Sequence, residues 1–201
     1  MDILPERFRS LKAPGESGEI VIDKSRFYGY AKRADTEQEA LSFIDEVKAL
    51  HPGHSCTCYA YVCGFQGNLQ RFHDGHEPVG GMPILECIRQ NGATNAVCAV
   101  VRYFGGVKLG KGGLARAFAA AAKGAVEAAQ VCDYLLTKSI SVSFDYTHSG
   151  KLLRYLEESG FIRQDTHYTE QVTVDILVKS TDAAKLADEV SDMTAGKARL
   201  E

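Results

Sequence analysis

The sequence predicts an α+β protein built of two units. Three observations carry that expectation: an unbroken apolar run of six, Ala96–Val101, inside the segment 95–104, a capped amphipathic segment over 36–50, and a strand–helix–strand–strand–helix–strand alternation in roughly the last 65 residues. A stretch such as Ala96-Val-Cys-Ala-Val-Val101 is what a strand covered on both faces shows.

In chain order, residues 19–34 are rich in Val, Ile, Phe and Tyr. They break at Asp23-Lys24-Ser25, which predicts two strands or a hairpin. Thr36-Glu-Gln-Glu39 is a capping box, its hydroxyl and carboxylate placed to satisfy amides at a helix start. Ala40, Ile44 and Val47 then recur at helical spacing up to His51-Pro52. Cys56–Cys63 alternates small and aromatic residues and predicts a strand. Residues 64–81 predict a loop with Gly and His, and 83–88 a short helix with Pro83 in its first turn, stopped by Asn91-Gly92. Residues 105–113 hold five glycines in nine, a turn, and 114–129 hold nine alanines, a helix able to lie close against a sheet. Beyond residue 131 a strand is expected over 135–146, then a helix capped by Thr147 and ended by Gly160. Strands over 161–167 and 171–178, a helix capped by Thr181 and a short strand over 197–200 complete a ferredoxin-like βαββαβ order. The expected domains are 1–131 and 135–201.

Composition narrows the function. Of 201 residues, 45% are hydrophobic and 24% charged, a balance that excludes disorder, collagen and a solenoid. A net charge of −3 and a pI near 6.1 exclude a uniformly basic polyanion binder. No apolar run exceeds six residues, and the N-terminus is charged from Asp2 onward, so neither a membrane span nor a signal core is expected. Six cysteines in such a chain are expected to stay reduced, and the protein reads as cytoplasmic. The charge is unevenly spread. Residues 1–131 carry 15 bases and 14 acids, residues 132–201 carry 8 and 12. Residues 87–126 hold no acid and six bases, a local field suited to anions unless it is only a solvated face.

That window contains the strand–turn–helix segment with the strongest chemistry. Gly105, Gly106, Gly110, Gly112 and Gly113 leave backbone amides open to a ligand. A helix start adds free N–H donors, and Arg102, Lys108, Lys111 and Arg116 supply charge. Phosphate is the anion this suits, from a nucleotide or a nucleic-acid backbone; the bland alternative is a tight connection needing glycine for packing. Gly105 and Gly110-Lys111 satisfy Gly-x4-Gly-Lys, yet Gly112 stands where a P-loop needs Ser or Thr for magnesium, so an ATPase motif is not expected. A second cluster, His73-Asp-Gly-His-Glu-Pro78 with Cys56 and Cys58 upstream, invites a zinc reading. The spacing of Cys56, Cys58, His73 and His76 resists it, and no metal is expected. Asp74 and Glu77 suit either an acid/base pair or loop-closing hydrogen bonds, the second being preferred.

Arg102-Tyr-Phe-Gly-Gly-Val-Lys-Leu-Gly-Lys-Gly-Gly-Leu-Ala-Arg-Ala-Phe118 resembles the signature of the IMPACT family, in its bacterial, YigZ-like branch. Cys58-Tyr-Ala-Tyr61, Glu77-Pro78, Gly81-Met-Pro-Ile-Leu85 and Ser25-Arg-Phe27 resemble further family segments in the same order. The resemblance implies an N-terminal domain of the fold shared by a small-subunit ribosomal protein, elongation factor G domain IV and several small-molecule kinases. It implies a ferredoxin-like C-terminal domain. Eukaryotic relatives act in translational control through an additional N-terminal domain, so that role is not carried over. The family's Asp-Asp-Gly-Glu-Pro-Ser-Gly-Thr-Ala-Gly loop is two residues shorter here and lacks the threonine, and a usual histidine is Cys56. The function expected is a non-catalytic RNA- or ribosome-associated protein, linked to translation, that binds phosphates over residues 102–116 without a cofactor. The alternatives are an enzyme acting on a phosphorylated small molecule or nucleotide, and a module that docks a protein partner through its acidic C-terminal domain.

Overall fold

The computed structural model describes residues 6–201, which divide into two compact units, Arg7–Tyr134 and Leu135–Glu201. In the first unit, strands β1 (Arg7–Leu11), β2 (Gly15–Ile22) and β3 (Ser25–Arg33) precede helix α1 (Glu37–Leu50). Then come β4 (Cys56–Cys63), β5 (Leu69–His73), α2 (Gly81–Gln90), β6 (Ala96–Tyr103), α3 (Gly110–Ala129) and β7 (Val131–Leu135). Five strands form one sheet in the order β2-β3-β6-β4-β5, every neighbour antiparallel, while β1 pairs with β7.

β6 lies at the centre of that sheet, and residues 96–101 are fully buried. One face packs against α1 through Ala40, Ile44 and Val47 over Val97, Ala99 and Val101. The other packs against α2 and α3, where Phe118 meets Phe27 edge to face at 5.3 Å. The alanines of α3 explain its approach to the sheet: a Cβ on Gly29 of β3 would lie 2.2 Å from the Ala121 carbonyl oxygen. The β2–β3 hairpin turns at Asp23 and Lys24, both left-handed with φ 44° and 65°.

Local chemistry corrects several expectations. The capping box at α1 is displaced on one side: Thr36 accepts from the Glu39 amide at 3.2 Å, but Glu39 accepts from Asp35 at 2.8 Å rather than from Thr36. The segment 64–81 is not all loop, because β5 runs through it as an edge strand. Its residues are half-buried or exposed, so it shows no apolar alternation. α2 starts two residues before Pro83, at Gly81, and α3 starts at Gly110 rather than at Leu114. Two strands lie outside those expected, β1 and β7, the second ending where the strand expected over 135–146 begins.

The second unit is β8 (Thr137–Phe144), α4 (Ser149–Glu158), β9 (Ile162–Tyr168), β10 (Val172–Lys179), α5 (Ala183–Thr194) and β11 (Arg199–Leu200). Its antiparallel sheet has the order β11-β8-β10-β9. Alternate residues Val172, Val174, Ile176 and Val178 of β10 are fully buried beside Leu152 of α4 and Val190 of α5. Thr147 is not the cap of α4. Asp145 accepts from the Thr147 amide at 2.9 Å and starts a single 3-10 turn ahead of the helix. Thr181 does not cap α5 either; its hydroxyl reaches the Asp182 carboxylate at 3.4 Å. Among the described residues no helix is long and apolar enough to cross a membrane.

Candidate phosphate-binding site

The end of β6 delivers the first functional side chain. Arg102 stands abreast of Phe27 on β3 and Cys56 on β4, on the sheet face that α2 and α3 cover. Its guanidinium is therefore buried, with the side chain 5% exposed. It is held by an ion pair to Glu77 and a hydrogen bond to Ser25 Oγ at 3.3 Å, with the Phe104 and Phe27 rings 5.1 and 5.6 Å away. Ser25 Oγ also accepts from the Gly105 amide at 3.1 Å, which ties the turn to the hairpin. Gly105 has no alternative there, since a Cβ would lie 2.0 Å from the Lys24 carbonyl carbon.

Beyond that anchor the chain rises into α3. Gly110, Lys111, Gly112 and Gly113 form the first turn of this helix instead of the turn before it. No acidic residue stands in that turn and no side chain caps it, so the free amides and the positive end of a 20-residue helix point outward uncompensated. A cavity of about 430 Å³ opens beside it. Pro78, Phe104, Leu109 and Leu114 give it apolar walls, the Glu77–Arg102 pair is at its base, and Lys108 and Lys111 are exposed at its rim. Among the described residues neither lysine, nor Arg116, forms an ion pair.

The structure thus brings Arg102, Lys108, Gly110 and Lys111 to one cavity and sets the others around it. Gly106 lies outside with φ +85°, and Gly112 faces open space, its nearest neighbour being Arg116 Nη1 at 3.8 Å from a Cβ placed there. Arg102 is not a mobile cation. Sequence reasoning missed that Glu77 neutralises it, and missed Ser25, Phe104 and Leu114 as parts of the site. Phe104, directly after the strand, is 49% exposed, and exposure of that kind is not visible in sequence.

The loop after β5 holds the remaining candidates. Asp74 Oδ1 accepts from the amides of Gly80 and Gly81 at 2.9 and 2.7 Å, so it caps α2 across six residues of loop. Glu77 is committed to Arg102. Both carboxylates are engaged, Asp74 through Oδ1 and Glu77 through Oε1, in contacts that close the loop. Cys56 and Cys58 do meet, sulfur to sulfur, at 3.5 Å. His73 instead stacks on Tyr59 at 5.2 Å and accepts from the Gly75 amide, and among the described residues no three metal-ligating side chains converge.

Comparison with known proteins follows the same division. The Impact N-terminal domain matches residues 23–126, and a domain of unknown function, DUF1949, matches 142–197. The chain is 36% identical to the Bacillus subtilis IMPACT family member YvyE, over 95% of this chain and 88% of that one. It is 32% identical to a Thermus thermophilus IMPACT family member, over 90% and 99%. To Escherichia coli YigZ it is 38% identical over 48% of this chain and 50% of that protein. A crystal structure of a hypothetical protein superimposes with a TM-score of 0.68 at 24% identity, covering 98% and 97% of the two chains, and so shares the fold. Signature, domain match and near full-length relatives agree, and the chain belongs to the IMPACT family.

Proposed function

We propose that this protein binds RNA, free or within a ribosomal particle, by its phosphates at the start of α3. One observation carries the reading: Lys108, Lys111 and the open helix N-terminus surround a cavity whose one lining carboxylate among the described residues, Glu77, is neutralised by Arg102. The field at the cavity is therefore positive in a chain of net charge −3. Exposed Phe104 on its wall offers an aromatic surface beside the phosphate position, as single-stranded nucleic acid uses for stacking. The commitment of Asp74 and Glu77 to structural hydrogen bonds favours binding over catalysis. The β11-β8-β10-β9 order of the second unit supports reading it as a ferredoxin-like domain, and for the first unit the ribosomal-protein and elongation factor G domain IV type is what the family resemblance implies.

The test is fluorescence anisotropy of labelled RNA at several salt concentrations. Log affinity should fall with log salt by roughly 0.7–0.9 per phosphate contact, and Lys108→Ala/Lys111→Ala should lower the slope by about two. No salt-dependent affinity for structured RNA, single strands or ribosomal particles, or a slope untouched by the double substitution, overturns the reading.

A further inference from the structure

The first unit has another cavity, of about 440 Å³, at the same end of its sheet. Lys48, His54, Thr57, Tyr59, His73 and His76 line it, and among the described residues no carboxylate does. Side chains alternate along β4, so Thr57 and Tyr59 lie on the sheet face that α1 covers, opposite to Arg102. Thr57 is 8% exposed and its hydroxyl has no hydrogen-bond partner, a cost that a ligand atom would remove. His73 stands opposite Tyr59 in the sheet and stacks on it at 5.2 Å, the two ring planes within 9° of parallel. Its Nδ1 accepts from the Gly75 amide at 2.9 Å, which leaves the ring proton on Nε2 as a donor. His54 is the reverse: Nδ1 donates to the His51 carbonyl at 2.7 Å, and Nε2 is the acceptor.

This cavity and the one at α3 meet at the end of the sheet. β4 begins and β6 ends there, with Cys56 opposite Arg102. The Ser55 amide donates to the Arg102 carbonyl at 2.8 Å, and Ser55 Oγ accepts from the Phe104 amide at 2.9 Å. Ser55 lines one cavity and Phe104 the other. The loop after β5 makes a second junction, since His76 and Glu77 line one cavity each. That loop is folded onto β4: Cys58 Sγ is 3.0 Å from the Asp74 carbonyl oxygen, and a Cβ on Gly75 would lie 2.8 Å from the Thr57 carbonyl oxygen.

We propose that the cavity under His73 is a nucleotide subsite for single-stranded RNA, an inference that rests on the phosphate site at α3. A strand held there by Lys108 and Lys111 passes Phe104 and Ser55, rounds the end of the sheet and sets a neighbouring nucleotide against β4. Its base stacks on the exposed His73 ring and continues the Tyr59–His73 pair, while its polar atoms meet the Thr57 hydroxyl and His73 Nε2–H. Lys48, although paired with exposed Asp45 at 2.9 Å, supplies a cation for the phosphate. The occupant is an unpaired strand. A base can lie on His73 only after leaving its own helix, and a stiff duplex cannot bend from one face of a sheet to the other. Stacking serves every base, so the subsite selects strandedness rather than sequence.

The experiment measures anisotropy of a short unstructured RNA strand, and of its blunt-ended duplex, with the full chain and its variants. The single strand should bind about ten-fold more tightly than the duplex. Thr57→Val exchanges an unpartnered hydroxyl for a methyl of the same shape, so the thermal midpoint should hold or rise while the single strand binds about five-fold more weakly. His73→Ala should weaken the single strand about ten-fold, and His73→Phe, which keeps a stacking ring, should restore most of that. Duplex affinity should not move in any of the three. Equal affinity for strand and duplex overturns the subsite and leaves the α3 site standing. So does a single-strand affinity untouched by Thr57→Val and His73→Ala while Lys108→Ala/Lys111→Ala still lowers the salt slope. No salt-dependent binding of either RNA overturns both.

Discussion

Arg102 and Glu77, 25 positions apart in sequence, form an ion pair with side chains only 5% and 15% exposed. Burial makes the pair costly to break and cheap to replace. Arg102→Met strands a carboxylate in the interior and should destabilise the first unit by about 3–5 kcal/mol, as should Glu77→Leu, which strands the guanidinium. The double variant Arg102→Met/Glu77→Leu should recover most of that loss. Urea unfolding checks it, and single variants that lose less than about 1 kcal/mol would show that the pair is solvated.

Asp74 holds the start of α2 through the amides of Gly80 and Gly81. Asp74→Ala leaves the Gly80 and Gly81 amides without their acceptor and should cost about 1–2 kcal/mol. Asp74→Asn keeps an oxygen at the same place and should retain most of the stability, measured by thermal unfolding. Equal losses for the two variants would mean that the charge, not the cap, is what the loop needs.

What the sequence made legible was what depends on period and on local glycine. β4, β6, α1 and the second unit's order follow from apolar spacing, and the basic segment 102–116 stands out because residues 87–126 hold no acid. β5 was invisible because an exposed edge strand has no buried face to print a pattern. The start of α3 was misplaced because Gly110, Gly112 and Gly113 have poor helix propensity, which packing of Leu114, Ala117 and Phe118 overrides. The Arg102–Glu77 pair, the Asp74 cap and the Cys56–Cys58 contact with the folded-over loop are long-range meetings across β4, β6 and the 74–81 loop. No spacing rule reaches them.

Two glycines of the first unit should respond in opposite directions. Gly29→Ala drives a methyl to within 2.2 Å of the Ala121 carbonyl oxygen and should cost about 3 kcal/mol or more by forcing α3 off the sheet. Gly112→Ala meets nothing nearer than 3.8 Å in the first turn of α3 and should stabilise by about 0.5–1 kcal/mol. Denaturant midpoints decide both. Gly112→Ala that stabilises the fold while weakening RNA would place a phosphate against that turn, separating ligand approach from helix propensity.

His51 gives the first unit a pH dependence. Its Nε2 is 2.7 Å from the Tyr30 hydroxyl and its Nδ1 3.1 Å from the Tyr103 hydroxyl, with Tyr28 packed on the ring at 5.1 Å. Burial first, then the nearby His54, holds its imidazole below the ordinary value of 6.5. The unfolded chain therefore takes up the proton before the folded one does. Stability from this residue is complete above about pH 6.5 and declines as the pH falls toward the folded value, because protonation then favours the unfolded state. Titration of the His51 ring by NMR should give a midpoint below 6.5, and His51→Gln should flatten the fall in thermal stability between pH 7 and 5. A midpoint at or above 6.5 would mean that the tyrosine hydroxyls stabilise the imidazolium more than burial opposes it, and the sign of the pH dependence would reverse.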